Sequence, residues 1–245
     1  MPRKRSCCSP CCIAVLVLAA ALAALLFMLY PRDTEPAPPP ARGLRVVEID
    51  LDKGYRVEPV LAENRTEGDL FPEMMTRLRP YAAINGTFYD PEKRPLGDVV
   101  IGGRLVNRGH YRTAVAVTDD GKVVFRHRSG GRFDWSGYTA GLAAGPRLVH
   151  NGKIACDPVA DGFGPGSVTL EASRSGVGIT ADNRLILATM TKAVTLRGFA
   201  QIMLDHGCVE AMNLDGGGAC GLYRDGKILT LPGMPMAGIL AVFEK

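Results

Sequence analysis

Apolar and polar positions divide the chain into one unbroken apolar run, a proline-rich stretch, and a long region of short alternating segments. Residues 11–30 carry no charge and have the length, about twenty residues, that a helix needs to cross a bilayer core. Arg3, Lys4 and Arg5 precede the run, and Asp33 and Glu35 follow it. That asymmetry predicts a cytoplasmic N-terminus, with everything from Pro31 onward outside. The run continues through Leu25, Leu26, Phe27, Met28 and Leu29 without a small-residue cleavage boundary, so an uncleaved signal-anchor is expected rather than a removed signal peptide. Residues 31–43 are too proline-rich for a helix and too polar for a core, which makes them a semi-rigid spacer. The expected organisation is a short basic and cysteine-bearing cytoplasmic segment (1–10), a transmembrane signal-anchor (11–30), a linker (31–43) and one folded domain (44–245).

Within the domain, β-branched alternation predicts strands at 44–51 and 55–61, expected to pair with each other. Leu70, Met74, Met75 and Leu78 fall at helical spacing and predict a helix within 63–79, stopped by Pro80. A strand at 81–84 runs into Asn85 and Gly86. Glycine and Asp-Gly turns then predict hairpins around 102–103, 119–121 and 151–152, and Asp182-Asn183 predicts another. A second helix is capped by Thr195, carries Leu196, Phe199, Ala200, Met203 and Leu204 on one face, and ends at Gly207. Strands outnumber helices, so the expected class is α+β: a mixed, mostly antiparallel β-sheet core with few helices, preceded by the transmembrane helix.

Composition changes this picture little. Hydrophobic residues make up 47% and charged residues 22%, as in an ordinary globular chain, and the net charge of +4 lies partly in the N-terminal basic triplet. No nucleic-acid partner is expected. Of seven cysteines, Cys7, Cys8, Cys11 and Cys12 sit before or at the start of the apolar run, and Cys156, Cys208 and Cys220 lie beyond it. Cys208 and Cys220 are the best-placed pair, but free buried thiols are favoured over a disulfide framework. No cofactor is expected and no metal, since no histidine accompanies the N-terminal cysteines and no oxygen-ligand cluster surrounds the later acids.

Familiar catalytic signatures are missing. There is no G-x-S-x-G elbow, no Walker A lysine and no H-E-x-x-H, and the four histidines are scattered. The most informative stretch is Ala211-Met212-Asn213-Leu214-Asp215-Gly216-Gly217-Gly218-Ala219, an apolar strand that ends in a carboxylate and three glycines. Such a turn can place Asp215 at an active-site edge, with bare amides forming an anion-binding nest. It can equally be a tight turn in which Asp215 accepts backbone hydrogen bonds. Asn85 and the pair Arg174-Ser175 are the other polar residues at strand ends. Their plainer roles are a turn former for Asn85 and an ion pair from Arg174 to Asp182 or Glu171. His206 suits a helix C-terminus, Asp90, Asp98 and Asp157 suit turns, and Trp135 suits a core or loop better than a sugar platform.

Taken together, Ala83-Ile84-Asn85-Gly86-Thr87-Phe88-Tyr89, Gly145-Pro146-Arg147-Leu148-Val149 with Asn151-Gly152-Lys153, Arg174-Ser175-Gly176-Val177-Gly178-Ile179 and Asn213-Leu214-Asp215-Gly216-Gly217-Gly218 resemble the phosphodiester glycosidase family. The motifs follow in order across 44–245. The resemblance implies hydrolysis between a sugar anomeric carbon and an esterified phosphate, of the N-acetylglucosamine-1-phosphate type. It implies catalytic positions at Asp215, Arg174 and Asn85, and substrate contacts at Gly86, Thr87, Ser175, Gly216, Gly217 and Gly218. Asp215 would be nucleophile or general base, Arg174 would clamp the phosphate, and Asn85 would orient a sugar hydroxyl or acetamido group. A phosphate monoester leaves readily, so one carboxylate can do most of the work. The family usually carries threonine where this chain has Ser175, and serine where it has Ala219. The expected partners are a carbohydrate phosphodiester and, through residues 11–30, a membrane, with the domain extracytoplasmic and an envelope polysaccharide as the natural setting. A non-catalytic module that binds anionic glycans is the alternative, kept open by Ala219. A structural envelope protein without a ligand is the third reading.

Overall fold

The computed structural model describes residues 42–164, 166 and 168–245. The expected signal-anchor and almost all of the linker lie outside the described residues, and among the described residues no helix is long and apolar enough to cross a membrane.

Among the described residues, sixteen strands make three sheets. The first sheet has the order β1 (Leu44–Asp50), β12 (Arg184–Val194), β11 (Ala172–Thr180), β13 (Cys208–Asn213), β9 (Arg147–His150) and β10 (Lys153–Ile154). The second runs β15 (Lys227–Thr230), β14 (Leu222–Arg224), β3 (Ala82–Asn85), β16 (Gly238–Glu244) and β2 (Tyr55–Leu61). The third runs β5 (Arg104–Asn107), β4 (Val99–Ile101), β8 (Tyr138–Ala144), β6 (Thr113–Thr118) and β7 (Val123–His127). Every pairing in the first sheet is antiparallel, and the same holds in the other two. The hairpins predicted around residues 102–103, 119–121, 151–152 and 182–183 all form.

One shared core joins the sheets. Val47 and Leu187 from the first, Ile84 and Leu240 from the second, and Val115 and Leu142 from the third are each at most 2% exposed and lie in one cluster. Burial of this kind, at roughly 25 cal/mol per Å² of apolar surface, is what holds three small sheets together. The two α-helices of the described residues cover outer faces. Helix α1 (Phe71–Leu78) places Phe71, Met74 and Met75 against Ala83, Ile239 and Ala241 of the second sheet. Helix α2 (Leu196–Asp205) places Phe199, Ala200 and Met203 against Ala188 and Ala211 of the first. Thr195 caps α2 as predicted, its hydroxyl accepting from the Gly198 N–H at 3.0 Å. His206 occupies the C-cap.

Two sequence expectations fail. The strands at 44–50 and 55–61 do not pair, because a 3-10 turn closed by Gly54 in the left-handed region, φ 85°, sends β1 to β12 and β2 to β16. The first helix is also shorter than 63–79. Asp69 accepts from the N–H groups of Glu63 (2.9 Å) and Asn64 (3.1 Å), and Asn64 from those of Thr66 and Glu67. Side chains that offer these local acceptors compete with helix, and Pro72 fits only its first turn.

Candidate active site

Strand β13 ends in a crossing of hydrogen bonds. Asn213, 1% exposed, donates its backbone N–H to Pro146 O (2.9 Å) and accepts from Gly145 N (2.9 Å). Its side-chain amide donates to Gly145 O and Leu214 O, while Leu214 N donates to Ser175 O at 2.8 Å. The Gly145-Pro146 peptide bond is cis. These bonds lock the exit of β13 to the β8–β9 junction and to β11. The chain then meets the end of β3. Asp215 N donates to Gly86 O (3.3 Å), and the Asn85 side-chain amide donates to Asp215 O (2.7 Å) while accepting from Gly221 N (3.1 Å). Two distant motifs therefore fix the backbone of one aspartate.

The half-buried Asp215 carboxylate accepts from Gly216 N at 2.9 Å. Burial is the largest influence on it and pushes its pKa from 3.8 to about 7, opposed by the Gly216 N–H and by the positive charge of Lys93. Lys93 donates to Pro235 O at 3.0 Å and stands 4.3 Å over the Tyr89 ring. Tyr89 in turn donates to Pro235 O at 3.1 Å, with the Met234 sulfur at the same distance. Burial and then the Asp215 charge raise Tyr89 to about 12, and the same two causes raise Tyr111. Tyr111 stacks on Phe163 with ring centroids 5.0 Å apart and touches Phe88 at 5.2 Å. Asp215 thus lies beside an aromatic wall and one lysine.

Three glycines shape the other side. A Cβ on Gly216 would sit 2.6 Å from Ser173 O, so only glycine lets the turn lie this close to β11. Gly217 has φ +60° with open space around it and begins a 3-10 turn over Gly217–Ala219. Ala219 N and Cys220 N close that turn onto Gly216 O and Gly217 O. The exposed Gly217 and Gly218 have N–H groups that donate to no acceptor among the described residues. Open amides of this kind are able to bind an anion.

The remaining sequence-predicted residues lie nearby but face inward. Arg174, 3% exposed, makes none of the ion pairs considered for it. Its guanidinium donates to Val194 O and Val168 O, each at 3.2 Å, and to Leu170 O, while Asp182 pairs with Arg184. Burial lowers its pKa. Ser175 is fully buried, and its hydroxyl has no acceptor of good geometry but lies near the Cys220 thiol, which burial raises to about 11. Thr87 spends its hydroxyl on Ala143 O at 2.7 Å, and Gly86 is buried. Asn85 has both ends of its amide engaged by protein.

Sequence reasoning missed Tyr89, Lys93, Tyr111 and the 232–235 segment. Tyr89 belongs to the Asn85-Gly86-Thr87 motif, but nothing local marks Tyr111 or Lys93 as neighbours of residue 215. Asp98, read as a turn residue, is instead a buried acceptor for Gly109 N (2.7 Å), Trp135 Nε1 (2.7 Å) and Arg108 (3.1 Å), which makes Trp135 a core residue. Cys156, Cys208 and Cys220 are free. Among the described residues, no three His, Cys, Asp or Glu side chains are grouped to hold a metal ion.

Comparison with known proteins adds a family. A model of the phosphodiester glycosidase family matches residues 79–242, a span that holds Asn85, Arg174 and Asp215. No curated protein matches the sequence. Among solved structures, the chain is similar to the catalytic domain of zebrafish N-acetylglucosamine-1-phosphodiester alpha-N-acetylglucosaminidase, auto-inhibited by its pro-peptide. That likeness has a TM-score of 0.69 at 17% identity, over 87% of this chain and 86% of the other. A hypothetical protein from Synechocystis gives 0.63 at 17% identity, over 82% and 59%. A protein from Burkholderia pseudomallei gives 0.62 at 14%, over 94% and 80%. At these identities the structures speak for the fold alone, and the family rests on the sequence model. With most of the domain under that model, the chain belongs to the phosphodiester glycosidase family.

Proposed function

We propose that this chain hydrolyses a sugar-1-phosphodiester, of the N-acetylglucosamine-1-phosphate type, at the bond between the anomeric carbon and the phosphate oxygen. One observation carries the reading: a carboxylate at a strand end, held near pKa 7 by burial, beside a glycine turn with open amides. A base with that pKa is half ionised at neutral pH, where general-base catalysis is most efficient. Asp215 acts as nucleophile or general base at C1. The C1–O bond breaks, the phosphate monoester leaves with the bonding pair, and water supplies the new anomeric hydroxyl. The Gly217 and Gly218 amides take the phosphate oxygens.

Arg174 contributes positive charge from beneath the turn. Asn85 holds Asp215 in place, and Ser175 and Thr87 hold the strands that carry the turn. Tyr89, Tyr111 and Lys93 form the wall against which the sugar or its aglycone lies. The apolar run at 11–30 supports a signal-anchor that leaves the domain on the extracytoplasmic side, where an envelope polysaccharide is within reach.

The test is release of free sugar from UDP-N-acetylglucosamine and from an N-acetylglucosamine-1-phospho-mannoside, with the Asp215→Asn variant alongside. In water enriched in oxygen-18, the label belongs in the sugar and not in the phosphate. Turnover by the parent alone with that labelling is the expected result. Saturable binding without turnover supports the glycan-binding alternative.

A further inference from the structure

Between the first and third sheets, at the edge formed by β9, β13 and β7, lies a cleft of about 290 Å³ lined by Thr113, Arg126, His127, Arg147, His150 and Glu210, with Phe125 at its side. Asp215 is not among the residues that line it. Three observations mark it as built for a ligand. The Arg147 guanidinium makes no hydrogen bond or ion pair among the described residues, although its backbone N–H is held at 2.6 Å by Asp161. Thr113, 1% exposed, has a hydroxyl with no partner among the described residues. His127 gives Nε2 to Asp161 at 2.6 Å, which leaves Nδ1 for a ligand.

The other charged groups are committed elsewhere. Glu210 accepts from the His150 ring (2.8 Å) and from Asn151 N (3.0 Å). Arg126 donates to Asp134 O and lies over the rings of Phe133, Trp135 and Tyr138, at 4.6 Å from the last. A buried hydroxyl without a partner is costly to leave unsatisfied, and an unpaired guanidinium beside it is the complement of an oxyanion. A volume near the lower end for ligand pockets suits a small molecule.

We propose that this cleft is a second oxyanion site, which takes the phosphate group of a small phosphate monoester between Arg147, Thr113 and His127. The guanidinium and the hydroxyl donate to phosphate oxygens, and Nδ1 of His127 accepts from a P–OH group. The segment 157–163 borders both sites: Asp161 anchors Arg147 and His127, while Phe163 stacks on Tyr111 beside Asp215.

The chain has four histidines, and three of them report usefully: His127 and His150 line the cleft, and His110 stacks on Tyr111 at 4.5 Å. We would titrate the full-length chain, labelled at histidine and held in detergent, with inorganic phosphate, a hexose 1-phosphate, the free hexose, and chloride at matched ionic strength. Saturable shifts of the His127 and His150 signals with the two phosphates, and not with hexose or chloride, are expected. Arg147→Met and Thr113→Val should weaken them at least tenfold and about threefold, and the Asp215→Asn background should preserve them. Thermal melts of each variant at the parent's midpoint separate lost binding from lost folding. Shifts confined to His110, equal shifts with chloride or hexose, no saturable shift, or binding unchanged in a folded Arg147→Met chain would each overturn the proposal. Because the readout is binding, a chain without glycosidase turnover can still pass it.

Discussion

Replacing Asp215 with asparagine should make the protein more stable at alkaline pH and leave it nearly unchanged in acid. Asp215 has an ordinary pKa of 3.8 and a folded value of about 7, with burial the dominant cause. A raised carboxyl pKa means that the native state binds a proton that the unfolded chain has released. Below pH 3.8 both states hold the proton and the group exerts no penalty. As pH rises toward 7 the unfolded state ionises first and stability falls, and the loss is complete once the native carboxyl also ionises. About three pKa units at about 1.4 kcal/mol each give a penalty of about 4 kcal/mol above pH 8. Asparagine has the shape of the protonated acid, and its oxygen can still accept from Gly216 N. The variant should therefore melt within a degree or two of the parent at pH 4. At pH 8.5 it should melt higher by about 8–16 °C, at roughly 2–4 °C per kcal/mol for a domain of this size. Melting both proteins across pH 4–9 isolates the effect, because every other titrating group cancels in the difference. A difference independent of pH, or one that favours the parent at pH 8.5, would refute the desolvated carboxylate.

In the proposed reaction the same titration sets the rate. If Asp215 acts ionised, kcat/KM should climb with pH to a plateau above about 7, and Lys93→Met, which removes the positive charge opposing the shift, should move the midpoint upward by up to one unit; a profile that falls through 7 would make Asp215 a general acid. Gly216→Ala should cost more than 2 kcal/mol in urea unfolding, since its Cβ would meet Ser173 O at 2.6 Å, whereas Gly217→Ala, with open space but φ +60°, should cost about 1 kcal/mol. Ala219→Ser, which restores the residue common in the family, should leave sugar release within threefold of the parent and lower stability by about 1 kcal/mol, because position 219 is 2% exposed and the new hydroxyl would enter the core. A tenfold gain in turnover would show that position 219 faces the substrate.

The parts that sequence reasoning recovered have local causes. Thr195 and Gly207 bracket helix α2 because capping chemistry acts within one turn, and each hairpin was visible because its turn residues sit beside its strands. The β1–β2 pairing failed for the opposite reason, since partners 134 or more residues away outcompeted the neighbour in the chain. The site shows the same division. Asp215 and its glycines stand together in the sequence, and Asn85 meets them through bonds that span 130 residues. Arg174 was recognised as a residue of consequence, yet its binding by three carbonyls depends on how the 168–170 segment folds back, which no spacing rule encodes. Tyr111 became a neighbour of Asp215 only through the packing of Phe88, Phe163 and the third sheet.

That packing bears on why one carboxylate can suffice in the proposed reaction. The other buried acids of the described residues are engaged: Asp69 by two amides and Arg77, Asp98 by Gly109, Trp135 and Arg108, and Asp161 by Arg147 N and His127. None is poised to donate a proton to a leaving group, as glycoside cleavage ordinarily requires. A phosphate monoester needs no such donor, because its departing charge is already spread over several oxygens; what it needs is a positive field and open N–H groups. Arg174 is suited to the first. Its guanidinium is satisfied by carbonyl oxygens, which fix its position without cancelling its charge, whereas a carboxylate partner would have neutralised it. Gly217 and Gly218 are suited to the second, since their amides at the start of a 3-10 turn have no partner among the described residues. The desolvation that destabilises the folded protein at Asp215 is then the same property that keeps a basic carboxylate ready near neutral pH, so the variant that gains stability should be the one that loses turnover.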